Sequence, residues 1–354
     1  MFRMTDTELD KLFRGFPALR IGVIGDFALD CYWTIEPAAA LPSVETGKPT
    51  RPVLQQRYAA GAAGNVAADL AALGCGKVAV FGVIGEDPWG AELKRILDNL
   101  NTDITGLICQ TDDWATVAYV KPHINGTEQS RIDFGDFNRL YDSTAGRLLT
   151  ALGAALPELD AVVINAQARC GIHSNALRRG LQDLIAAFPE KIFTVDSREP
   201  ETMYPGGILK INNIELAKVC ACAPEAGGKI SREHLLKVLA EFHAQRGQPV
   251  FVTCGAQGIT VCDSGGTTEV PAVEWEGEMD TTGAGDAAMA AITAALAAGA
   301  TPAQAAFTGN LAAGVCIRKL HQTGTASPEE MRCLKAGERL QTKAESGTFE
   351  KSYF

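Results

Sequence analysis

The chain has 354 residues, 46% of them apolar, and a formal charge of −10, which suits one large α/β core with a small appendage. No dense run of Lys or Arg occurs, so a broad nucleic-acid surface is excluded, while a local anion site is not. The amino-terminal stretch mixes acids with bases, and no apolar run is long enough to span a bilayer. A soluble, cytoplasmic protein without a membrane partner is expected.

In chain order, residues 1–18 read as an extension before the first apolar run, IGVIG (Ile21 to Gly25), a short buried strand that opens onto a loop at Asp26. Similar runs recur at Lys77 to Gly85, Ala161 to Asn165, Ile192 to Asp196, Gly207 to Asn212 and Val250 to Gly255. Helical patterns lie between them, at Asn65 to Leu73, Trp89 to Leu100, Ser143 to Leu156, Asn175 to Phe188 and Ser231 to Gln245. Such alternation predicts a mainly parallel sheet with helices on both faces. Two segments break the rhythm: residues 31–58 are rich in Pro and turn formers and too polar for the main sheet, and residues 114–134 read as two extended pieces around HINGTEQ. Together they predict a small β lid. The ten cysteines include no C-x-x-C pair, and the close pair Cys220 and Cys222 lacks a second pair or a nearby histidine. Buried thiols in a reducing compartment are expected rather than a metal site.

Within DTTGAGDAAM (Asp280 to Met289), Gly283 and Gly285 let the backbone turn just before an Ala-rich helical run. The amides of Gly283, Ala284 and Gly285 should then sit at a positive helix end suited to an anion. A carboxylate there, Asp286, would repel that anion unless it faces a hydroxyl attacking a phosphoryl group held by the amides. Phosphoryl transfer needs that pairing of positioned charge and base. A plainer reading is that Thr282 caps the helix and Asp286 complements its dipole.

The stretch DTTGAGDAAMAAITAALAAG resembles the C-terminal signature of the ribokinase-like, or PfkB, carbohydrate kinases. IGDFALD (Ile24 to Asp30), AGAAGNVAADLAALG (Ala60 to Gly74), GVIGEDPWG (Gly82 to Gly90), KINNIE (Lys210 to Glu215) and VTCGAQG (Val252 to Gly258) are similar to other family segments and follow in the family's order. The resemblance implies an α/β fold of the ribokinase-like type, three layers α/β/α around a mainly parallel central sheet, with the kinase domain over residues 19–341 and a tail at 342–354. It implies a kinase using ATP and Mg²⁺, with Asp286 as base and Gly283, Ala284 and Gly285 as anion hole. Asp26, Asp30, Gly61 and Asn65 would meet the sugar. Asn212, Thr253, Gly255, Gly258, Thr281 and Asn310 would lie at the nucleotide, and Asn212 with Glu215 near the metal. Asn212 and Asn65 also read as plain helix caps. The segment Lys319 to Met331 resembles one that contributes to a monovalent-cation (K⁺) site; it reads equally as a loop before a helix capped by Ser327, with Pro328 and Glu330 in its first turn.

DFALDCYW and IRKLHQTGTASPEEM look closest to the kinases of this family that act on heptose 7-phosphate. Three features depart from them. Ala60-Gly61 stands where paired glycines are usual, NAQARCG (Asn165 to Gly171) carries Arg169 without an accompanying acid, and the lid stretch Ser43 to Val53 is long. Lys48, Arg51, Arg57, Arg131 and Arg169 are candidate anchors for a substrate phosphate, since a guanidinium matches two phosphate oxygens. The histidines include no H-x-G-H pair, so a kinase half standing alone is expected. Other acceptors (another sugar, 2-keto-3-deoxygluconate, a nucleoside) and a non-catalytic sensor of the same fold are alternatives. A Rossmann dehydrogenase is disfavoured because GDFALD, not G-x-G-x-x-G, follows the first strand. The open edge of a lid would need covering, so a homodimer is expected.

Overall fold

The computed structural model describes residues 2–220, 231–320 and 323–337; Cys222, His321 and the expected tail lie outside the described residues. Helix α1 (Asp6–Gly15) leads into β1 (Arg20–Gly25), and after a corner at Asp26 come β2 (Phe27–Ile35), β3 (Val53–Ala62), α2 (Ala63–Ala72), β4 (Lys77–Ile84), α3 (Pro88–Asn99) and β5 (Asp103–Cys109). The chain continues through β6 (Val117–Ile124), β7 (Thr127–Glu128), β8 (Ile132–Phe134), α4 (Asp142–Ala155), β9 (Ala161–Ala166), α5 (Asn175–Ala187), β10 (Ile192–Ser197), β11 (Ile208–Asn212) and α6 (Asn213–Val219). It ends with α7 (Arg232–Arg246), β12 (Val250–Thr253), β13 (Ile259–Asp263), β14 (Gly266–Val270), α8 (Ala284–Ala297), α9 (Pro302–Cys316) and α10 (Pro328–Lys335).

Among the described residues, nine strands form one sheet in the order β14-β13-β12-β11-β10-β9-β1-β4-β5. Pairing is parallel from β12 to β5 and antiparallel at β12/β13 and β13/β14. The central strands are covered on both faces, which is why β1 and β9 read as unbroken apolar runs. One face packs against α2, α8 and α9, the other against α4, α5 and α7. Helix α8 is buried from Ala287 to Ala295, and its small side chains suit a helix enclosed on all sides.

The second sheet, in the order β3-β2-β6-β7 with β8 on β6, is the lid. It starts at Phe27 and returns at Ala62, so the expected limits of 31–58 are too narrow, and IGDFALD spans the end of β1, the corner at Asp26 and the start of β2. Residues 31–58 look too polar for a sheet because the polar side chains alternate. Pairing puts Asp30, Tyr32 and Thr34 on the same face as Ala59, Arg57 and Gln55.

Residues 1–18 are no appendage. Leu9, Leu12, Phe13 and Phe16 are buried in the main core, and Asp10 and Asp6 pair with Arg332 and Lys335 of α10. Capping follows elementary rules at many helix starts, including the expected box of Ser327 with Glu330 and Pro328 in the first turn.

Candidate active site

An open parallel sheet binds ligands at the carboxyl ends of its strands. Here a cavity of about 370 Å³ opens at that edge, beneath the lid, walled by Asp30, Asn65, Asp196, Lys210, Asn212 and Asp286 among others. The amino terminus of α8 points into it. Its N-cap is Gly283 at φ 79°, with no side-chain cap, so Thr282 does not cap the helix. A Cβ on Gly283 would come within 2.6 Å of the Thr323 methyl; glycine is required by both conformation and space. The amide of Ala284 donates to the carbonyl of Thr281 at 3.2 Å, so Ala284 belongs to the turn and the anion hole is narrower than expected.

Asp286 accepts a hydrogen bond from Asn65 Nδ2 at 3.0 Å. Burial, with the negative charge of Asp196, lifts its carboxyl to about 6, against the opposing pull of Lys210, Asn65 and Arg198. Lys210 is buried and lies 2.6 Å from Asp196 Oδ2, and its ammonium reaches the Gly285 carbonyl at 3.3 Å. Burial weakens that ammonium, yet Asp196 holds it charged, above its ordinary range. A Cβ on Gly285 would stand 3.3 Å from Lys210 Nζ, so this glycine makes room for the lysine. One turn below Asn65, Asp69 is buried with neither oxygen hydrogen-bonded. Burial, with Asp286 nearby, pushes its carboxyl well above the ordinary aspartate range.

Several expected residues have other work. Asp26 is buried, and its carboxylate accepts from the amides of Gln167, Ala168 and Ile172 at 2.9, 2.9 and 2.7 Å. It clasps the loop after β9 and does not line the cavity, so the expected sugar contact is corrected to a structural one. Gly171 is part of that clasp, since a Cβ there would fall 2.0 Å from Asp26 Oδ1. Asn310 is buried and donates to the carbonyls of Val270 and Pro271, tying α9 to the end of β14; it does not line the cavity described above. Gly258, at φ 92°, makes the tight turn into β13, where a Cβ would meet the Val270 carbonyl at 2.2 Å. Gly255 also adopts positive φ, and Thr281 is exposed at the turn before α8. Arg169, Lys48 and Arg51 are exposed and absent from the wall. Arg131 reaches the wall, but its guanidinium is bidentate on Asp133 and lies 4.4 Å from the Tyr119 ring centroid.

Others do converge. Asp30 enters from lid strand β2, paired with Lys121 at 2.8 Å, and Gly61 leaves the space beside it, a Cβ there lying 3.1 Å from Asp30 Oδ2. The Ala60 methyl points into the core against Gly64, so this departure from paired glycines does not crowd the cavity. Asn212 and Glu215 both line the wall and form a reciprocal cap: Asn212 Oδ1 accepts from the amides of Ile214 and Glu215, and Glu215 Oε2 accepts from the Asn212 amide. Thr253 also lines it. Sequence reasoning missed Asp196, Lys210 and Arg198. The signal was there, for Asp196 and Arg198 lie at or just past the carboxyl end of one predicted strand and Lys210 lies two residues before the end of the next.

A layered α/β domain with a lid over an acid, a lysine and a helix terminus defines a class of phosphotransferase fold. The profile of the pfkB family carbohydrate kinases matches residues 28–164 and 207–330. The chain is 32% identical over 335 residues to the bifunctional protein HldE of Caulobacter sp. (strain K31), covering 94% of this chain and 66% of that protein. It is 30% identical to HldE of Shewanella piezotolerans (strain WP3 / JCM 13877), covering 89% of this chain and 63% of that one. The chain thus spans just under two thirds of the length of these curated relatives. The fold superposes on phosphofructokinase-2 from Escherichia coli in complex with potassium with a TM-score of 0.70 at 19% identity, covering 90% of this chain and 99% of that one. For Arabidopsis thaliana ribokinase complexed with ribose and ATP the TM-score is 0.65 at 18% identity, over 89% and 98%. The chain belongs to the pfkB family of carbohydrate kinases. It is a phosphotransferase on a ribokinase-like fold, and the family implies ATP with Mg²⁺ and a small sugar acceptor.

Proposed function

We propose that this protein transfers the γ-phosphoryl group of ATP to a hydroxyl of a sugar phosphate, with heptose 7-phosphate the favoured acceptor. The observation that carries the reading is Asp286 in the first turn of α8, raised to about 6 and held by Asn65. An acid in that range is ionised at neutral pH and is a better proton acceptor than an ordinary aspartate. Asp286 takes the proton of the attacking hydroxyl. Asn65 fixes the carboxylate, and Asp30 orients a neighbouring hydroxyl. Lys210 and the Gly283 and Gly285 amides stabilise charge on the moving group. Bound ATP and Mg²⁺ supply the phosphoryl group and its neutralisation. The residues fit that metal, because Glu215 offers a single carboxylate beside an amide, and Mg²⁺ keeps most of its water. The heptose 7-phosphate assignment draws on the HldE relatives, and for the HldE proteins the chain matches only part of their length.

A K⁺ requirement belongs to the same reading. In the segment expected to serve it, Lys319 Nζ donates to the Thr325 carbonyl at 2.7 Å and pairs with Glu330 at 2.6 Å. Loss of turnover on replacing K⁺ with choline would establish the requirement. The reading as a whole is tested by ADP release with ATP and Mg²⁺ across sugars, sugar phosphates, 2-keto-3-deoxygluconate and nucleosides. Asp286→Asn should lower kcat by about 10²–10⁴-fold, and wild-type kcat/KM should fall as pH drops below about 6. ATP binding with no turnover on any acceptor would point to a sensor instead.

A further inference from the structure

The lid face does not end at Asp30. Its register aligns side chains in rows across β3, β2 and β6. Ala59, Asp30 and Tyr119 make the first row, Arg57, Tyr32 and Lys121 the second, Gln55, Thr34 and His123 the third. Successive same-face rows are about 6.7 Å apart and neighbouring strands about 4.8 Å apart. The first row faces Asp286. The second and third line a separate cavity of about 770 Å³ that meets the reaction cavity at Thr282.

The chemistry of this outer cavity is cationic along the lid. Tyr32 is flanked by Arg57 and Lys121, whose charges lie 4.5 and 4.9 Å from its ring centroid. His123 closes the far row, its Nδ1 fixed 2.9 Å from the Lys121 carbonyl. Two acids border the space. Glu128 lies 4.0 Å from His123 Nε2, and Asp280 is turned onto the amide of Thr282 at 3.0 Å. With Tyr32 occupied by two cations, the lid offers no apolar slot for a nucleobase. It offers a guanidinium, an ammonium and an imidazole one to two rows from the base, roughly the reach of a pyranose from one reactive hydroxyl to a phosphate on its exocyclic end. A phosphate has the oxygens to meet several such donors.

We propose that Arg57, Lys121 and His123 form a subsite for the terminal phosphate of the acceptor, and that this lid face, rather than Arg131 or Arg169, makes the enzyme select phosphorylated sugars. The proposal rests on the kinase reading above and names the substrate class of that site. Asp30, paired with Lys121, couples recognition of the phosphate to placement of the hydroxyl.

The test is the ratio of kcat/KM for heptose 7-phosphate over that for free heptose, in wild type, Arg57→Ala, His123→Ala and Arg169→Ala, with 2-keto-3-deoxygluconate as a carboxylate control. Calorimetric titration of heptose 7-phosphate into Asp286→Asn protein, with and without Arg57→Ala, reads binding apart from turnover. The ratio should favour the phosphorylated sugar and collapse at least tenfold in Arg57→Ala and His123→Ala, but not in Arg169→Ala. A variant that merely loosened the fold would depress both acceptors and leave the ratio standing, which overturns the proposal. Turnover that prefers the phosphate-free sugar or the carboxylate overturns the subsite and leaves the kinase. If no acceptor is turned over, the kinase reading fails. Arg57-dependent binding would then uphold the subsite, and its absence would remove both.

Discussion

Asp286 illustrates how one residue's task sets its cost. Its carboxyl is raised from an ordinary 3.8 to about 6, so the fold favours the protonated form, while the proposed role as base needs it ionised. The stability this group contributes is present below the unfolded value near 3.8 and is lost as pH rises through about 6. Removing the charge should therefore stabilise the fold at pH 8 by about 1–3 kcal/mol. Thermal melts of Asp286→Asn and wild type are expected to separate at pH 8 and converge near pH 4. Asp26 makes the opposite case. Replacing it by Ala strips the acceptor from three backbone amides, and unfolding in urea should show a loss of about 3 kcal/mol or more. The acceptor KM should stay near the wild-type value, as a clasp predicts and a sugar contact forbids. These two acids also mark the limits of reading residues from sequence. Both stand in family-like motifs, and only the partners of each carboxylate, which lie more than a hundred residues away in the chain, separate base from clasp.

At the level of elements, the strongly periodic pieces were legible. The six apolar runs became β1, β4, β9, β10, β11 and β12, each within a residue or two of its expected ends. Weaker signals were passed over. Strand β5 carries Asp103, Thr105 and Gly106 in a short edge strand, and β13 and β14 form a hairpin whose outer strand is largely exposed. Neither gives the continuous run that marks a buried strand. Helix α1 reads from sequence as an extension because it precedes the family-like segments, yet Phe16 just beyond it is fully buried. Phe16→Ala should cost about 3–5 kcal/mol. A drop of that size in a chemical melt would establish the amino-terminal segment as part of the core, while a change below 1 kcal/mol would return it to the status of an appendage.

For the whole molecule, class and layering followed from the alternation of elements, whereas association depends on surfaces that periodicity does not report. The lid leaves Leu54, Ile132 and Phe134 exposed, and β3 is an open edge of its sheet. Our expectation of a homodimer rests on that edge. Light scattering should give twice the chain mass of 37.5 kDa, and Leu54→Glu should shift it toward the monomer; a monomeric wild type would remove the expectation.

The corner at Asp26 has a mechanical consequence. Its amide, its carbonyl and both carboxylate oxygens are all tied down, to Asn165, Ala63 and the loop after β9. The lid is therefore a cantilever riveted at one end, and its displacement under any load grows with distance from the rivet. Bending of such a lid should therefore displace the row holding Asp30 least and the row holding His123 most. The proposed chemistry would then sit at the stiff end of the beam, with the proposed phosphate subsite toward the compliant one.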